Sequence, residues 1–184
     1  MLEYFADLMR RASPGLLAHA KATERLVRAV TPYLPRVYAP RAVLFMGAFL
    51  HDVGKVMWPK ELFAKRVLTP ADWALIKTHP VVGANLVKES WPDVPEGVIR
   101  IILEHHERPG GEGYPRGIEP SYPALVVSAC DVFDAMTHDR NYREAIPVKV
   151  ALAEIREWAL GEIVNAVERA TRFTLQVKKG GENS

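Results

Sequence analysis

Apolar residues recur at helical spacing along nearly the whole chain, with intervals of three and four residues between them. The clearest run near the N-terminus comprises Leu16, Leu17, Ala20, Leu26, Val27 and Val30. The pattern returns from Ala42 to Leu50, whereas the alternation typical of β-strands is almost absent. We therefore predict an all-α fold, a helical bundle formed by a single domain spanning residues 1–184.

One helix start is predicted from a short local signal. Thr69 is a suitable N-cap, Pro70 suits the first helical position, and Asp72 follows three residues after the cap. His79 would lie inside this helix, but Pro80 follows it directly. Since proline disfavours a continuous helix, we expect the helix to kink, or to break and restart, near the histidine.

Further helices are predicted from about 95 to 106, 121 to 137 and 147 to 170. Residues 175–184 are polar and are expected to form a disordered tail. The segment from Arg108 to Pro120 is rich in glycine and proline and remains as a long loop beside the predicted helices. Long loops in compact domains are often functional.

Composition narrows the class of protein. The 184 residues are 48% hydrophobic and 25% charged, and no apolar run approaches the roughly 20 residues of a membrane span. The N-terminal residues place their basic pair after the apolar part, which is the wrong order for a secretory signal. A single cysteine, Cys130, agrees with a reducing compartment. We expect a cytoplasmic protein without a membrane partner.

The formal net charge of +2 is too small to predict nucleic-acid binding, so we expect no DNA partner. Any phosphate chemistry must come from local clusters. Five of the six histidines lie beside other candidate ligands or at helix positions that allow them to point one way. They are His19, His51, His79, His105 and His106.

Carboxylates accompany these histidines. His51 and Asp52 end an apolar helix, with Gly54 as a natural C-terminal stop. Asp131 lies in another apolar run, ALVVSACDVFDAM. A carboxylate in such surroundings is costly to bury without a cation or a set of hydrogen-bond donors.

Imidazoles and carboxylates together suit first-row divalent metals, and the lack of thiolates argues against a cysteine-based zinc site. One ion usually takes about four to six ligands, and the seven candidates exceed that number. Two ions that share a carboxylate fit better, because its two oxygens can span metals about 3.5 to 4 Å apart. Asp52 is the candidate bridge.

Each piece also has a structural explanation. A lone histidine on a helix is more often hydrogen-bonded or on the surface than a ligand. His105 and His106 are equally suited to a helix C-terminus, and Asp131 and Asp134 to ordinary polar pairing. The combination of five separate stretches with compatible chemistry favours a metal centre.

The order of these elements resembles the HD-GYP family, a subgroup of the HD-domain metal-dependent phosphohydrolases. The matching elements are His19, HDVGK (51–55), His79, HHE (105–107), GYP (113–115) and DVFDAMTHDRNYR (131–143). The resemblance covers residues from about 15 to 160. It implies an all-helical enzyme that holds two or three metal ions, commonly iron or manganese, and hydrolyses cyclic di-GMP to linear pGpG or GMP.

The resemblance also implies roles for individual residues. One ion would be held by His19, His51, Asp52 and Asp131, and the other by His79, His105 and His106, with Asp52 between them. A bridging water would be the nucleophile, with Lys55 neutralising charge on the phosphate. Zinc, nickel or another divalent metal is not excluded by the residues.

Substrate contacts are implied at three further positions. Arg140 and Arg143 match the family's basic residues that grip phosphate, and Tyr114 belongs to a loop lining the nucleotide cleft. The alternatives are a solvated Lys55, a surface pair of arginines beside neighbouring acids, and a tyrosine that only anchors its loop.

Two positions depart from the family pattern. Gly15 stands where many members carry a glutamate that helps hold a third metal, which favours a dinuclear centre. Gly110 stands where the family loop usually has an aspartate, and this is expected to alter nucleotide recognition. The function predicted is cyclic di-GMP hydrolysis; the alternatives are an HD-type phosphohydrolase acting on another nucleotide or phosphate ester, and a low-turnover metal-binding signalling module. A regulatory protein partner and an oligomer are both compatible with the sequence.

Overall fold

The computed structural model describes residues 1–35, 39–138 and 144–180, with side chains through residue 172. Over these residues the chain forms ten α-helices and no strand, which agrees with the predicted all-α class. The helices are α1 (Leu2–Ala12), α2 (Pro14–Val30), α3 (Arg41–Leu50), α4 (Lys60–Ala64), α5 (Pro70–Ile76), α6 (His79–Ser90), α7 (Glu96–Glu104), α8 (Tyr122–Thr137), α9 (Val148–Arg156) and α10 (Gly161–Gly180).

The local signal at residue 69 is confirmed as a helix cap. The Thr69 hydroxyl accepts a hydrogen bond from the Asp72 N–H at 3.2 Å, and the Asp72 carboxylate accepts one from the Thr69 N–H at 2.7 Å. This reciprocal arrangement satisfies two N–H groups that a helix start would otherwise leave unpaired. The predicted break is also present, because α5 ends at Ile76 and α6 begins at His79.

The single helix predicted from 147 to 170 is instead two helices, α9 and α10, separated by residues 157–160. Gly161, a poor helix former, begins the second one. In the connection, Trp158 turns back toward the loop that follows α7, where it lies under the guanidinium of Arg108. The break therefore places an aromatic ring beside the candidate site.

Gly54 does not act as the helix stop expected from the sequence. The glycines with left-handed backbone among the described residues are Gly110, Gly111 and Gly117, and α3 ends through a 3₁₀ turn at Val53–Met57. A Cβ on Gly54 would come within 2.1 Å of the His79 carbonyl oxygen. Gly54 is therefore required for close contact between this turn and the start of α6.

Helices α2, α3, α7 and α8 pack around one hydrophobic core, and α6 packs against α7 and the 3₁₀ turn. The fully buried side chains include Leu44, Leu50, Ile101 and Ile102. The five candidate histidines, His19, His51, His79, His105 and His106, lie on the side of the core where α2, α3, α6, α7 and α8 approach each other. In the described part of the chain, we find no helix of the length and apolarity needed to cross a bilayer.

Candidate metal centre

The seven predicted metal ligands lie together, although they come from five separate parts of the chain. His19 lies in α2, His51 and Asp52 follow α3, His79 begins α6, His105 and His106 follow α7, and Asp131 lies in α8. Six of them are buried and His106 is half-buried. Two groups have one ligand atom per residue within 4.8 Å of one another: Asp52, His79, His105 and His106; and His19, His51 and Asp131.

The Asp52 carboxylate lies between the two groups. Its Oδ1 is 3.1 Å from His79 Nε2 and 3.7 Å from His105 Nε2. Its Oδ2 is 3.5 Å from His51 Nε2 and 3.8 Å from His19 Nε2. One oxygen therefore faces each group, which is the arrangement expected of a carboxylate bridging two ions.

The second carboxylate, Asp131, completes the group that contains His19 and His51. Its Oδ1 is 2.8 Å from His19 Nε2 and 3.6 Å from His51 Nε2. The Nε2 atoms of His19 and His51 and the Oδ1 atom of Asp131 thus converge near the second oxygen of Asp52, Oδ2. This donor set suits a first-row divalent ion.

The outward-facing nitrogens of three of these histidines are each held by a backbone carbonyl. The Nδ1 atoms of His51 and His79 donate to the Ala48 and Ile76 oxygens, both at 2.7 Å, and His105 Nδ1 donates to Ile102 O at 2.8 Å. A carbonyl only accepts, so Nδ1 must carry the proton in each ring. In the neutral form that binds a metal ion, the lone pair of each ring is then on Nε2, facing inward.

This hydrogen bonding tests whether the residues fit a metal. His79 Nε2 lies 3.1 Å from His105 Nε2, and with both Nδ1 atoms protonated the two lone pairs face each other. Within the described residues, His51 Nε2 and Asp52 Oδ1 are buried without a hydrogen-bond partner. Facing lone pairs and unpaired buried acceptors are unfavourable unless a cation lies among them, so the residues fit the predicted metal site.

The electrostatics of the cluster also favour positive charge. Burial opposes ionisation of Asp52, but Lys55 and His51 hold the pKa of that carboxyl well below its usual range. Burial lowers the pKa of His51, yet the adjacent Asp52 and Asp131 carboxylates raise it to about 10. By contrast, burial lowers the pKa of His105 to about 4. The two carboxylates therefore remain ionised, and they attract a cation to the centre.

Lys55 and Tyr114, for which substrate contacts were predicted, lie at the edge of this centre. Lys55 Nζ is 2.5 Å from Asp52 Oδ2, and its side chain is 19% exposed, so it faces both the centre and solvent. The Tyr114 ring stacks on His106 with centroids 4.6 Å apart and an angle of 22° between the planes. Burial raises the pKa of the Tyr114 hydroxyl above its ordinary value, so this group stays protonated and can donate a hydrogen bond.

The loop that carries Tyr114 is held by a residue that the sequence reasoning did not single out as a site residue. Glu107 is fully buried, and its two oxygens accept hydrogen bonds from the backbone N–H groups of Arg116, at 2.8 Å, and Ile118, at 3.2 Å. Gly113 lies so close to Glu107 that a Cβ would come within 2.4 Å of the Glu107 Cα. These contacts fix the loop against the end of α7.

Gly110, where an aspartate was expected, has a left-handed backbone with φ of 78°. Its N–H donates to the Glu119 carboxylate at 2.9 Å. The start of the loop is therefore tied to its end by Glu119.

Asp134 is a second residue whose role was not foreseen. Its Oδ2 accepts a hydrogen bond from His19 Nδ1 at 2.7 Å, while its Oδ1 lies 3.0 Å from the exposed His138 ring. Asp134 therefore orients His19 as the carbonyls orient the other rings. Its position three residues after Asp131 on α8, hence on the same helix face, is the available sequence signal.

The predicted phosphate-binding residues Arg140 and Arg143 lie outside the described residues. Their contacts with the centre therefore stay predictions.

Residues 3–162 match the family model described as HD domain, so the chain belongs to the HD-domain family. A cyclic di-GMP phosphodiesterase of Thermotoga maritima is 36% identical over 113 residues, which are 59% of this chain and 31% of that protein. A 3'3'-cGAMP-specific phosphodiesterase of Vibrio cholerae is 29% identical over 157 residues, covering 83% of this chain and 34% of that protein.

Among solved structures, the chain is similar to Bd1817 of Bdellovibrio bacteriovorus, described as an HDG"Y"P protein. The TM-score is 0.69 with 24% identity over 85% of this chain and 52% of the other. These relationships support the HD-GYP resemblance. The chain spans only about a third of the length of the two curated relatives.

Proposed function

We propose that this protein is a metal-dependent phosphodiesterase that hydrolyses cyclic di-GMP to linear pGpG, GMP or both through a dinuclear centre. The observation that carries the proposal is the arrangement of inward-facing imidazole nitrogens on both sides of the Asp52 carboxylate. It is supported by similarity to a relative named as a cyclic di-GMP phosphodiesterase.

In this proposal, His19, His51 and Asp131 hold one divalent ion, His79, His105 and His106 hold the other, and Asp52 contacts both. Divalent ions bound there would supply neutralisation of phosphate charge and activation of water. Iron or manganese is the proposed metal.

The protein's own residues complete the site. Lys55, close to Asp52 and partly exposed, is placed to neutralise negative charge that develops on a phosphate oxygen. Tyr114 offers a protonated hydroxyl at the edge of the site. Because Asp52 and Asp131 are ionised, neither is suited to act as a proton donor, and their proposed role is to hold charge and orient ligands.

A second candidate is hydrolysis of another cyclic dinucleotide. The Vibrio relative is named as specific for 3'3'-cGAMP, and in this chain Gly110 stands in the Tyr114 loop where the family usually has an aspartate. The centre itself does not distinguish these substrates.

The test is metal analysis of protein purified without oxygen, followed by incubation with cyclic di-GMP, 3'3'-cGAMP and mononucleotide controls. The proposal predicts two ions per chain and a linear product from cyclic di-GMP. Hydrolysis of 3'3'-cGAMP with cyclic di-GMP left intact would favour the second candidate. Bound metal without turnover of any nucleotide would instead indicate a signalling module.

A further inference from the structure

Arg108, directly after the HHE motif, is a half-buried cation held rigidly in place. Its Nη1 donates to the Ser128 hydroxyl at 2.8 Å and to the Glu107 carbonyl at 2.9 Å, with a longer contact to the His105 carbonyl at 3.4 Å. The guanidinium carbon lies 3.9 Å from the centroid of the Trp158 ring. Three polar contacts and one aromatic face therefore fix its orientation.

The charge of Arg108 is not matched by a carboxylate at ion-pair distance in the described part of the chain. Every hydrogen bond that it makes there uses Nη1, which leaves the donors on Nε and Nη2 without a described protein acceptor. A partly desolvated guanidinium usually has an anionic partner.

The acids close to Arg108 already have other partners. Asp131 bonds to His19, and Glu107 accepts the loop N–H groups at residues 116 and 118. Glu154, on α9, raises the pKa of Arg108 electrostatically but forms no ion pair with it in the described structure. Among the described residues, no nearby carboxylate therefore forms an ion pair with Arg108.

The position of Arg108 indicates which anion. Ser128, its hydrogen-bond partner, precedes the candidate ligand Asp131 by three residues, or about one turn of α8. Both Asp131 and Tyr114 lie near enough to act electrostatically on Arg108. Arg108 thus lies beside the group of ligands that contains Asp131, whereas Lys55 contacts Asp52.

We propose that Arg108 is a substrate-binding residue that contacts two oxygens of a phosphate group of the nucleotide through Nε and Nη2. This inference rests on the proposed function and adds a residue to it. The planar guanidinium matches two phosphate oxygens, and its fixed orientation reduces the entropy lost on binding. Phosphate is favoured over a guanine base because the missing partner is a negative charge.

The test compares Arg108→Met and Arg108→Lys with wild type, using metal-loaded protein. Arg28→Met is the matched control, since Arg28 also stacks on an aromatic ring, Phe45, at 4.1 Å, but in α2 on a surface formed with α3. Two quantities are measured: the dissociation constant of inorganic pyrophosphate by calorimetry, and KM and kcat for cyclic di-GMP and 3'3'-cGAMP.

Loss of charge-assisted hydrogen bonds in Arg108→Met should weaken pyrophosphate binding and raise KM for both nucleotides by roughly 10- to 100-fold. Metal content should not change. Arg108→Lys should recover part of the affinity, because it keeps the charge but not the fork, and Arg28→Met should match wild type.

Pyrophosphate affinity in Arg108→Met equal to that of the control would overturn the inference. An unchanged pyrophosphate affinity with a raised KM for guanine-containing substrates would assign Arg108 to base recognition instead. A lower kcat and metal content with KM unchanged would make its role structural. If the wild-type protein hydrolyses neither nucleotide, but Arg108→Met still binds pyrophosphate more weakly than wild type, the proposed function fails and the phosphate contact stands.

Discussion

Replacing Glu107 with glutamine measures how strongly the loop after α7 is held. The wild-type carboxylate accepts two backbone N–H groups, from Arg116 and Ile118, inside a fully buried environment. Glutamine has one acceptor oxygen, and its NH₂ group would face the second N–H. Glu107→Gln therefore weakens one hydrogen bond and leaves one buried donor without an acceptor.

The magnitude follows from these two changes. A charged hydrogen bond contributes about 1.5–3 kcal/mol, a neutral one about 0.5–1.5 kcal/mol, and an unsatisfied buried group costs about 1–3 kcal/mol. Together they predict a loss of about 2–4 kcal/mol in the free energy of unfolding. For a protein of this size, the melting temperature should fall by roughly 5–15 °C.

The assay is thermal denaturation followed by circular dichroism, with Glu112→Gln as the control. Glu112 is exposed on the same loop, so its substitution should change stability by less than about 0.5 kcal/mol. The reasoning is refuted if the melting temperature of Glu107→Gln lies within about 2 °C of wild type, which corresponds to a loss of less than about 1 kcal/mol in the free energy of unfolding. Because the histidines are held separately, metal content should change little while KM rises.

Three further substitutions test the centre and its supports. Asp52→Ala should abolish both metal occupancy and turnover, since one carboxylate serves both groups of ligands; elemental analysis that still finds two ions per chain would exclude the bridge. Asp134→Asn should weaken metal affinity about 10- to 100-fold in a chelator competition, because the ring that it orients loses a charged acceptor, and an unchanged affinity would deny it that role. Gly54→Ala should destabilise the fold by at least about 1–3 kcal/mol, because the added Cβ overlaps with the backbone of α6. The control Gly161→Ala, where nothing lies within 4 Å, should be neutral or stabilising. Equal denaturation midpoints for the two variants would contradict the close packing at Gly54.

Features that depend on neighbours in sequence were predictable. The cap at Thr69 and the break before His79 both follow from local backbone preferences, and both are present. The meeting of the histidines was predictable in a different way. Each stretch alone was ambiguous, and their order, through its resemblance to a family, indicated that they converge.

Features that depend on distant partners were missed or misread. The apolar pattern from 147 to 170 continues through the break, so periodicity alone could not locate the turn at Trp158. Gly54 resembled a helix stop because its approach to α6 involves residues far along the chain. The donors that bond to the carboxylates of Glu107 and Asp134 depend equally on tertiary packing, which the local sequence does not specify.

The carbonyls that hold three of the histidines belong to residues at or near the ends of α3, α5 and α7. Each ring bonds to the residue three positions earlier, at Ala48, Ile76 and Ile102. Carbonyls in a last helical turn have no later N–H of their own helix to accept from. Here the same unsatisfied oxygens select one tautomer, so these rings need neither flip nor exchange a proton between their nitrogens before an ion arrives. Three helix ends thus prepare the coordination geometry in advance, and metal affinity becomes a property of the backbone as well as of the ligand side chains.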